Sequence, residues 1–217
     1  MALTDKNAFC TLADLKDELG ITDSSQDARL ERRILVASDM IERFLNRPVR
    51  REVNRIEYLP GYGGASLLPS LTPIESIGSI EMDGEVIPPD AYEITSNKSF
   101  IFSSTGWEWT ALGLQTISRE LVMVPGTERE AFKVTFTGGW CLPNDTTQAG
   151  TLLPVAITEA CLQLATTLHL QRGTNRAIAA EAVGEASVQM RADTEGSVSN
   201  GIPAGIASML SAFKRAV

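Results

Sequence analysis

Between Leu30 and Leu45 the apolar residues recur three and four apart, and past Pro48 that spacing is lost. Leu30, Ile34, Ala37, Ile41, Phe44 and Leu45 form one stripe. Arg29, Arg32, Arg33, Asp39, Glu42 and Arg43 lie opposite. This spacing predicts an amphipathic helix with one buried and one wet face. Residues 23–26 offer caps for its start, and Pro48 forces Arg47 out of helical angles, so the helix ends near Asn46. A two-turn helix precedes it. Thr11 caps that helix, Asp14 sits near its positive end, Leu12 and Leu15 give an apolar side, and Gly20 closes it.

From Arg50 the pattern becomes that of strands. Val53, Ile56 and Tyr58 stand among charged residues, and the Pro60–Gly64 stretch turns the chain toward Ser66, Leu67 and Leu68. Pro73 leads into Ile74, Ile77, Ile80 and Met82, and Asp83-Gly84 is a strong hairpin signal before Val86 and Ile87. Further strands are expected around Tyr92–Thr95, Phe100–Phe102, Leu121–Val124 and Phe132–Phe136. Helical periodicity returns at residues 153–172, with Pro154 in the first turn, Ile157, Cys161, Leu164 and Leu168 as the stripe, and Gly173 at the end. Residues 174–200 are small and polar, with Val188 and Met190 hinting at a short strand, so they read as an extended arm or a mobile segment. A last helix follows Pro203, with Ile206, Met209, Leu210, Phe213 and Val217 in register.

The expected fold is therefore α+β. A small helical bundle carries a β-rich insertion and an extended C-terminal arm ending in a helix. Residues 1–49 supply the N-terminal helices of the bundle and 50–138 the insertion. Residues 139–173 supply the third bundle helix, and 174–217 the arm and a docking helix.

Composition narrows function. Hydrophobic residues at 43% and charged residues at 21% suit a chain with a real core, which excludes wholesale disorder and coiled coil. No apolar stretch is long enough to span a membrane, and the N-terminus has no apolar secretory core. The three cysteines, Cys10, Cys141 and Cys161, are too few and scattered for a disulfide framework, so the thiols read as reduced and cytosolic. With a single histidine, His169, and no CxxC pair, no metal site is expected. The net charge of −8 disfavours tight binding to nucleic acid, and it is concentrated in residues 61–138, where 10 acids face 4 bases.

No catalytic or cofactor motif is present. Gly61, Gly63 and Gly64 lack a following lysine and precede a strand, so they read as a turn. Cys161 and His169 form the one thiol–imidazole candidate, but eight residues on one helix separate them by about 12 Å along its axis. The pairs Glu128/Glu130 and Glu81/Asp83 read as solvated sheet faces. No catalytic, cofactor-binding or metal residue is assigned.

What remains points to contacts between macromolecules. Arg43, Arg47, Arg50, Arg51 and Arg55 crowd the junction of the long helix and the β block. They read either as a solvated helix end or as a basic patch meeting an acidic partner, such as the acidic block of a neighbouring copy. Trp107 and Trp109 flank Glu108 and point the same way if extended, either into a core or out as an aromatic tip.

The ordered set resembles the head–tail connector (adaptor) proteins of long-tailed bacteriophages. It runs from a short capped helix through a long helix ending Ile41-Glu-Arg-Phe-Leu-Asn-Arg-Pro48 to a β block with Pro73-Ile74 and Asp83-Gly84. Phe136-Thr-Gly-Gly-Trp140 and Leu142-Pro143 then lead into an Ala/Leu-rich helix ending Gln171-Arg-Gly, a Gly-Glu-Ala-Ser stretch and a last helix. The resemblance implies a non-catalytic virion protein, made in the host cytoplasm and placed at the neck. It forms a ring of about twelve copies beneath the portal, extends the DNA channel, and offers a docking surface to a stopper or tail protein. Packaged DNA would pass without specific binding, along acidic surfaces. The contact candidates are the five arginines, Trp107, Trp109, Ile206, Met209, Leu210 and Phe213. The alternatives are a stopper or tail-completion protein, a cytosolic thiol enzyme using Cys141 or Cys161, and a β-rich binding module using the two tryptophans.

Overall fold

The computed structural model describes residues 7–61, 63–82, 84–107, 113–117, 120–124, 132–145, 150–171, 180–183, 186–189 and 201–215. In chain order its elements are α1 (Leu12–Leu19), α2 (Asp27–Leu45), β1 (Glu52–Leu59), β2 (Ser66–Leu67), β3 (Ile74–Met82), β4 (Glu85–Val86), β5 (Glu93–Ile94) and β6 (Ile101–Phe102). There follow β7 (Gly113–Ile117), β8 (Glu120–Val124), β9 (Phe132–Gly138), α3 (Val155–Leu170), β10 (Ala180–Val183), β11 (Ala186–Gln189) and α4 (Ala204–Leu210). The chain divides into two compact units. One comprises residues 1–47, 142–147 and 153–217, and the other comprises 48–141 and 148–152. The α+β class expected from the sequence is the class observed.

The first unit is helical. In α1, Thr11 Oγ1 accepts from the Asp14 amide at 3.1 Å while an Asp14 carboxylate oxygen accepts from the Thr11 amide at 3.3 Å, a reciprocal capping box. Gly20 ends the helix at φ +66, and Asn46 ends α2 at φ +54, both in the left-handed region. The start of α2 differs from expectation. Gln26 is the N-cap and makes no side-chain cap bond. Asp23 instead accepts from the Ser25 amide at 2.8 Å and from the Ser25 hydroxyl, which closes a turn one step earlier. Those hydrogen bonds hold the Asp23 carboxyl below its ordinary pKa. Lys16 Nζ reaches Asp27 Oδ1 at 2.8 Å and ties α1 to the first turn of α2.

The stripe of α2 is buried as the spacing requires, with Leu30, Ala37, Ile41 and Leu45 at 0% exposure. It packs on α3, whose Ile157, Ala160, Cys161, Leu164 and Ala165 are buried, while α1 lies against both helices. β10 and β11 pair antiparallel, Ala180 opposite Gln189 and Val183 opposite Ala186, and α4 packs on α3.

The second unit is built on an antiparallel sheet in the order β1-β9-β3-β4, with three-stranded β2-β6-β5 and two-stranded β7-β8 as further sheets. In β9 Phe132, Val134 and Phe136 are buried, whereas Lys133 and Thr135 are half-buried, the alternation of a sheet with one covered face. The covered face joins Leu59, Leu67, Leu71, Ile74, Ile80, Ile101 and Trp107 in one core. β3 and β4 form the expected hairpin, Met82 opposite Glu85; Asp83 lies outside the described residues. Where β9 ends, backbone approaches leave no room for side chains. A Cβ at Gly138 would lie 2.9 Å from the Pro73 carbonyl oxygen, and one at Gly139, which has φ +93, would lie 2.7 Å from that of Arg50.

Candidate interaction surfaces

The five clustered arginines part company in the structure. Arg43 and Arg47 belong to the helical unit; Arg50, Arg51 and Arg55 belong to the β unit. Arg51 is committed inside its unit. Its Nε and Nη2 both lie 2.8 Å from Glu75 Oε2, with the side chains only 14% and 16% exposed, and Glu75 Oε1 accepts from the Thr151 amide at 2.8 Å. Arg55 is likewise internal. Its Nη1 donates to both Glu52 oxygens at 2.9 Å, its Nη2 to Ser70 Oγ at 3.3 Å, and Glu57 in turn accepts from Ser70. Arg50 pairs through its backbone with Trp140 as an isolated parallel bridge.

At the C-terminal end of α2 the charges face outward. Arg43 Nε lies 3.1 Å from Asp39 Oδ2 one turn back, both side chains being well exposed. The end of the described chain folds over the same helix end. Lys214 Nζ sits 5.2 Å above the Phe44 ring, and the Arg215 amide donates to the Leu45 carbonyl at 3.0 Å. Burial, and then the charge of Arg215, pull the pKa of the half-buried Arg47 below the ordinary arginine value. Four cations thus gather where α2 exposes its final carbonyls, the dipole end that favours positive charge. The arginines were visible in the sequence. The contribution of Lys214 and Arg215 was not, because it depends on how the chain returns.

The last helix is amphipathic and its inner half is filled from within. Ile206 and Leu210 are 5% and 0% exposed against the helical unit, so they serve the core; Met209 and Phe213 stay half-buried. Trp107 is core as well. It is 5% exposed, meets Phe132 edge-on at 5.4 Å between ring centroids and Tyr92 at 6.4 Å, and its Nε1 donates to the Ala65 carbonyl at 3.1 Å. Trp109 lies outside the described residues.

One apolar feature escaped the sequence reading. Along β1, at one end of its sheet, Val53, Ile56 and Tyr58 are 58%, 54% and 54% exposed. Their neighbours on β9, Thr135 beside Ile56 and Lys133 beside Tyr58, share the wet face of the sheet. Alternation alone could not show which face of β1 is covered, since that depends on its pairing with β9.

No group of three or more potential metal ligands occurs among the described residues. No helix among them is long and apolar enough to cross a membrane. Cys161 does not work with His169. Its sulfur lies 3.6 Å from that of Cys10 and 3.5 Å from Ser38 Oγ, and both thiols are fully buried. Ser38 Oγ also accepts from the Phe9 amide at 3.0 Å and donates to the Ile34 carbonyl at 2.9 Å. The hydrogen bond with Cys10, above all, holds the Cys161 thiol below its ordinary pKa against the effect of burial, and that pairing together with burial pushes Cys10 up. No spacing rule joins residues 10 and 161.

Residues 9–74 match the family described as phage gp6-like head–tail connector protein. That stretch runs from the segment before α1 to the first residue of β3. The whole chain is similar in fold to a chain of the neck of an empty GTA particle computed with C6 symmetry. The identity is 15%, covering 100% of this chain and 94% of that one, with a TM-score of 0.53. A chain of the neck of a native GTA particle computed with C12 symmetry is similar over 100% and 93% at 14% identity and TM-score 0.50. A chain of the virion of the native gene transfer agent particle is similar over 96% and 91%, also at 14% and 0.50. No curated protein sequence matches the chain.

Proposed function

We propose that this chain is a structural head–tail connector: a neck protein that joins the head of a phage-like particle to its tail. The observation that carries the reading is the connector-family match over residues 9–74. It is supported by a fold likeness to neck chains that extends over the entire length. The internal chemistry agrees with it. Arg51 and Arg55 are engaged in ion pairs inside their unit, and the Cys161 sulfur lies against Cys10 and Ser38.

The finer reading is a ring of about twelve copies beneath the portal, with packaged DNA sliding past acidic surfaces and a stopper or tail protein docking below. Ring closure requires each copy to present two different surfaces, head to tail. On the helical unit we assign one of these to Arg43, Arg47, Lys214 and Arg215 with Met209 and Phe213. On the β unit, the exposed acids Glu85, Asp90 and Glu93 supply the complementary charge. The test is the mass of the purified chain, alone and mixed with the portal protein of its own particle, followed by particle imaging. The expected result is a closed ring that sits on the portal. A chain that stays monomeric in both conditions and is missing from assembled particles overturns the reading.

A further inference from the structure

The strongest feature the connector role leaves unused is the pair of buried thiols in the helical unit. Cys10 stands immediately before the N-cap of α1, and Cys161 lies in the middle of α3. Their sulfurs are 3.6 Å apart, both side chains are at 0% exposure, and the residues are 151 positions apart in sequence. A disulfide needs the sulfurs at about 2.05 Å, so closure asks for an approach of roughly 1.5 Å, within reach of side-chain rotation and a small shift of the segment before α1. Ser38 holds that segment in place through the Phe9 amide and lies beside the Cys161 sulfur. The third cysteine, Cys141, belongs to the other unit.

We propose that Cys10 and Cys161 form an intrachain disulfide when the protein meets an oxidising, disulfide-containing medium, and that the bond locks the segment before α1 onto α3. In a reducing cytoplasm the pair stays a dithiol. With a small external disulfide as oxidant, a transient opening of residues 8–10 admits the reagent. The Cys161 thiolate attacks one of its sulfurs and expels the first small thiolate, leaving a mixed disulfide. Cys10, deprotonated, then attacks the Cys161 sulfur and expels the second. Two cysteine thiols are oxidised, one external disulfide is reduced to two thiols, and the two cysteine protons end on the released thiols. The connector role is not needed for any of these steps.

The experiment uses the full chain and oxidised glutathione as the oxidant. Native protein, and protein refolded from denaturant in the same oxidising buffer, are digested without reduction and analysed by mass spectrometry. The expected product is a peptide pair joining Cys10 to Cys161, with the thermal midpoint raised by about 5 °C over the reduced protein. Cys10→Ser abolishes both the linkage and the shift; Cys141→Ser leaves both intact. The proposal is overturned if Cys10 and Cys161 remain alkylatable after both treatments. It is equally overturned if the bond formed involves Cys141, or if Cys10→Ser leaves the shift unchanged.

Discussion

Single residues in the β unit carry constraints that can be read one at a time, because all three tryptophans, Trp107, Trp109 and Trp140, fall within residues 48–141 and report on that unit alone. Gly139 combines a left-handed φ of +93 with a backbone carbonyl 2.7 Å from any Cβ added there. Neither strain can relax without moving β9 from the segment at Arg50. Gly139→Ala is expected to cost at least about 2 kcal/mol, seen as an earlier urea midpoint in tryptophan fluorescence. The Arg51–Glu75 pair makes a different demand. Its side chains are nearly enclosed, and Glu75 also receives the Thr151 amide, so removing the carboxylate takes an acceptor from the guanidinium and from the amide together. Glu75→Ala is expected to destabilise the unit by about 3 kcal/mol in the same measurement, and replacing both partners by apolar residues by much less. An equal loss in the single and double variants would show that the ion pair itself is the stabilising term.

At the level of elements, what the sequence disclosed follows from the range of each interaction. The helices were legible because burial of Leu30, Ile34, Ala37 and Ile41 repeats within a turn, and because Thr11, Asp14, Gly20 and Asn46 act on neighbouring backbone. The strand runs were legible for the same reason, and so was the Met82–Glu85 hairpin. The order β1-β9-β3-β4 was not. β1 finds its partner across most of the β unit, and nothing local in Glu52–Leu59 selects Phe132–Gly138 over another strand. The reading that hung on that order, the exposure of Ile56 and Tyr58, stayed open. The thiol pair and the cluster of Lys214 and Arg215 at the end of α2 were hidden for the same reason. Local terms can still be tested directly. The capping box of α1 joins two orphan amides at a helix of 8 residues, so Thr11→Ala is expected to cost about 1 kcal/mol. Amide exchange should show the loss first in α1, with α3 protection unchanged; uniform loss across both helices would deny α1 any local cooperativity.

For the whole molecule the unequal distribution of charge matters most. The β unit holds 12 acids against 7 bases, more than half of the net charge of −8, while the end of α2 gathers Arg43, Arg47, Lys214 and Arg215. Two surfaces of opposite sign on one chain favour head-to-tail association, and such contacts weaken as salt shortens the screening length from about 10 Å at 0.1 M to about 3 Å at 1 M. The arrangement also yields a prediction that mere stickiness cannot meet. A chain carrying Arg43→Glu, Arg47→Glu and Arg215→Glu presents acid on both surfaces, and one carrying Glu85→Arg and Glu93→Arg presents base on both. Neither should close a ring alone. Mixed in equal amounts, each finds the other at both of its surfaces, so the two should alternate around a ring with an even number of copies, read by native mass. Restored assembly in the mixture, with none in either variant alone, would place the contact at these residues. Assembly of either variant alone at wild-type strength would put the ring contact elsewhere, with the exposed β1 face of Val53, Ile56 and Tyr58 as the next surface to probe.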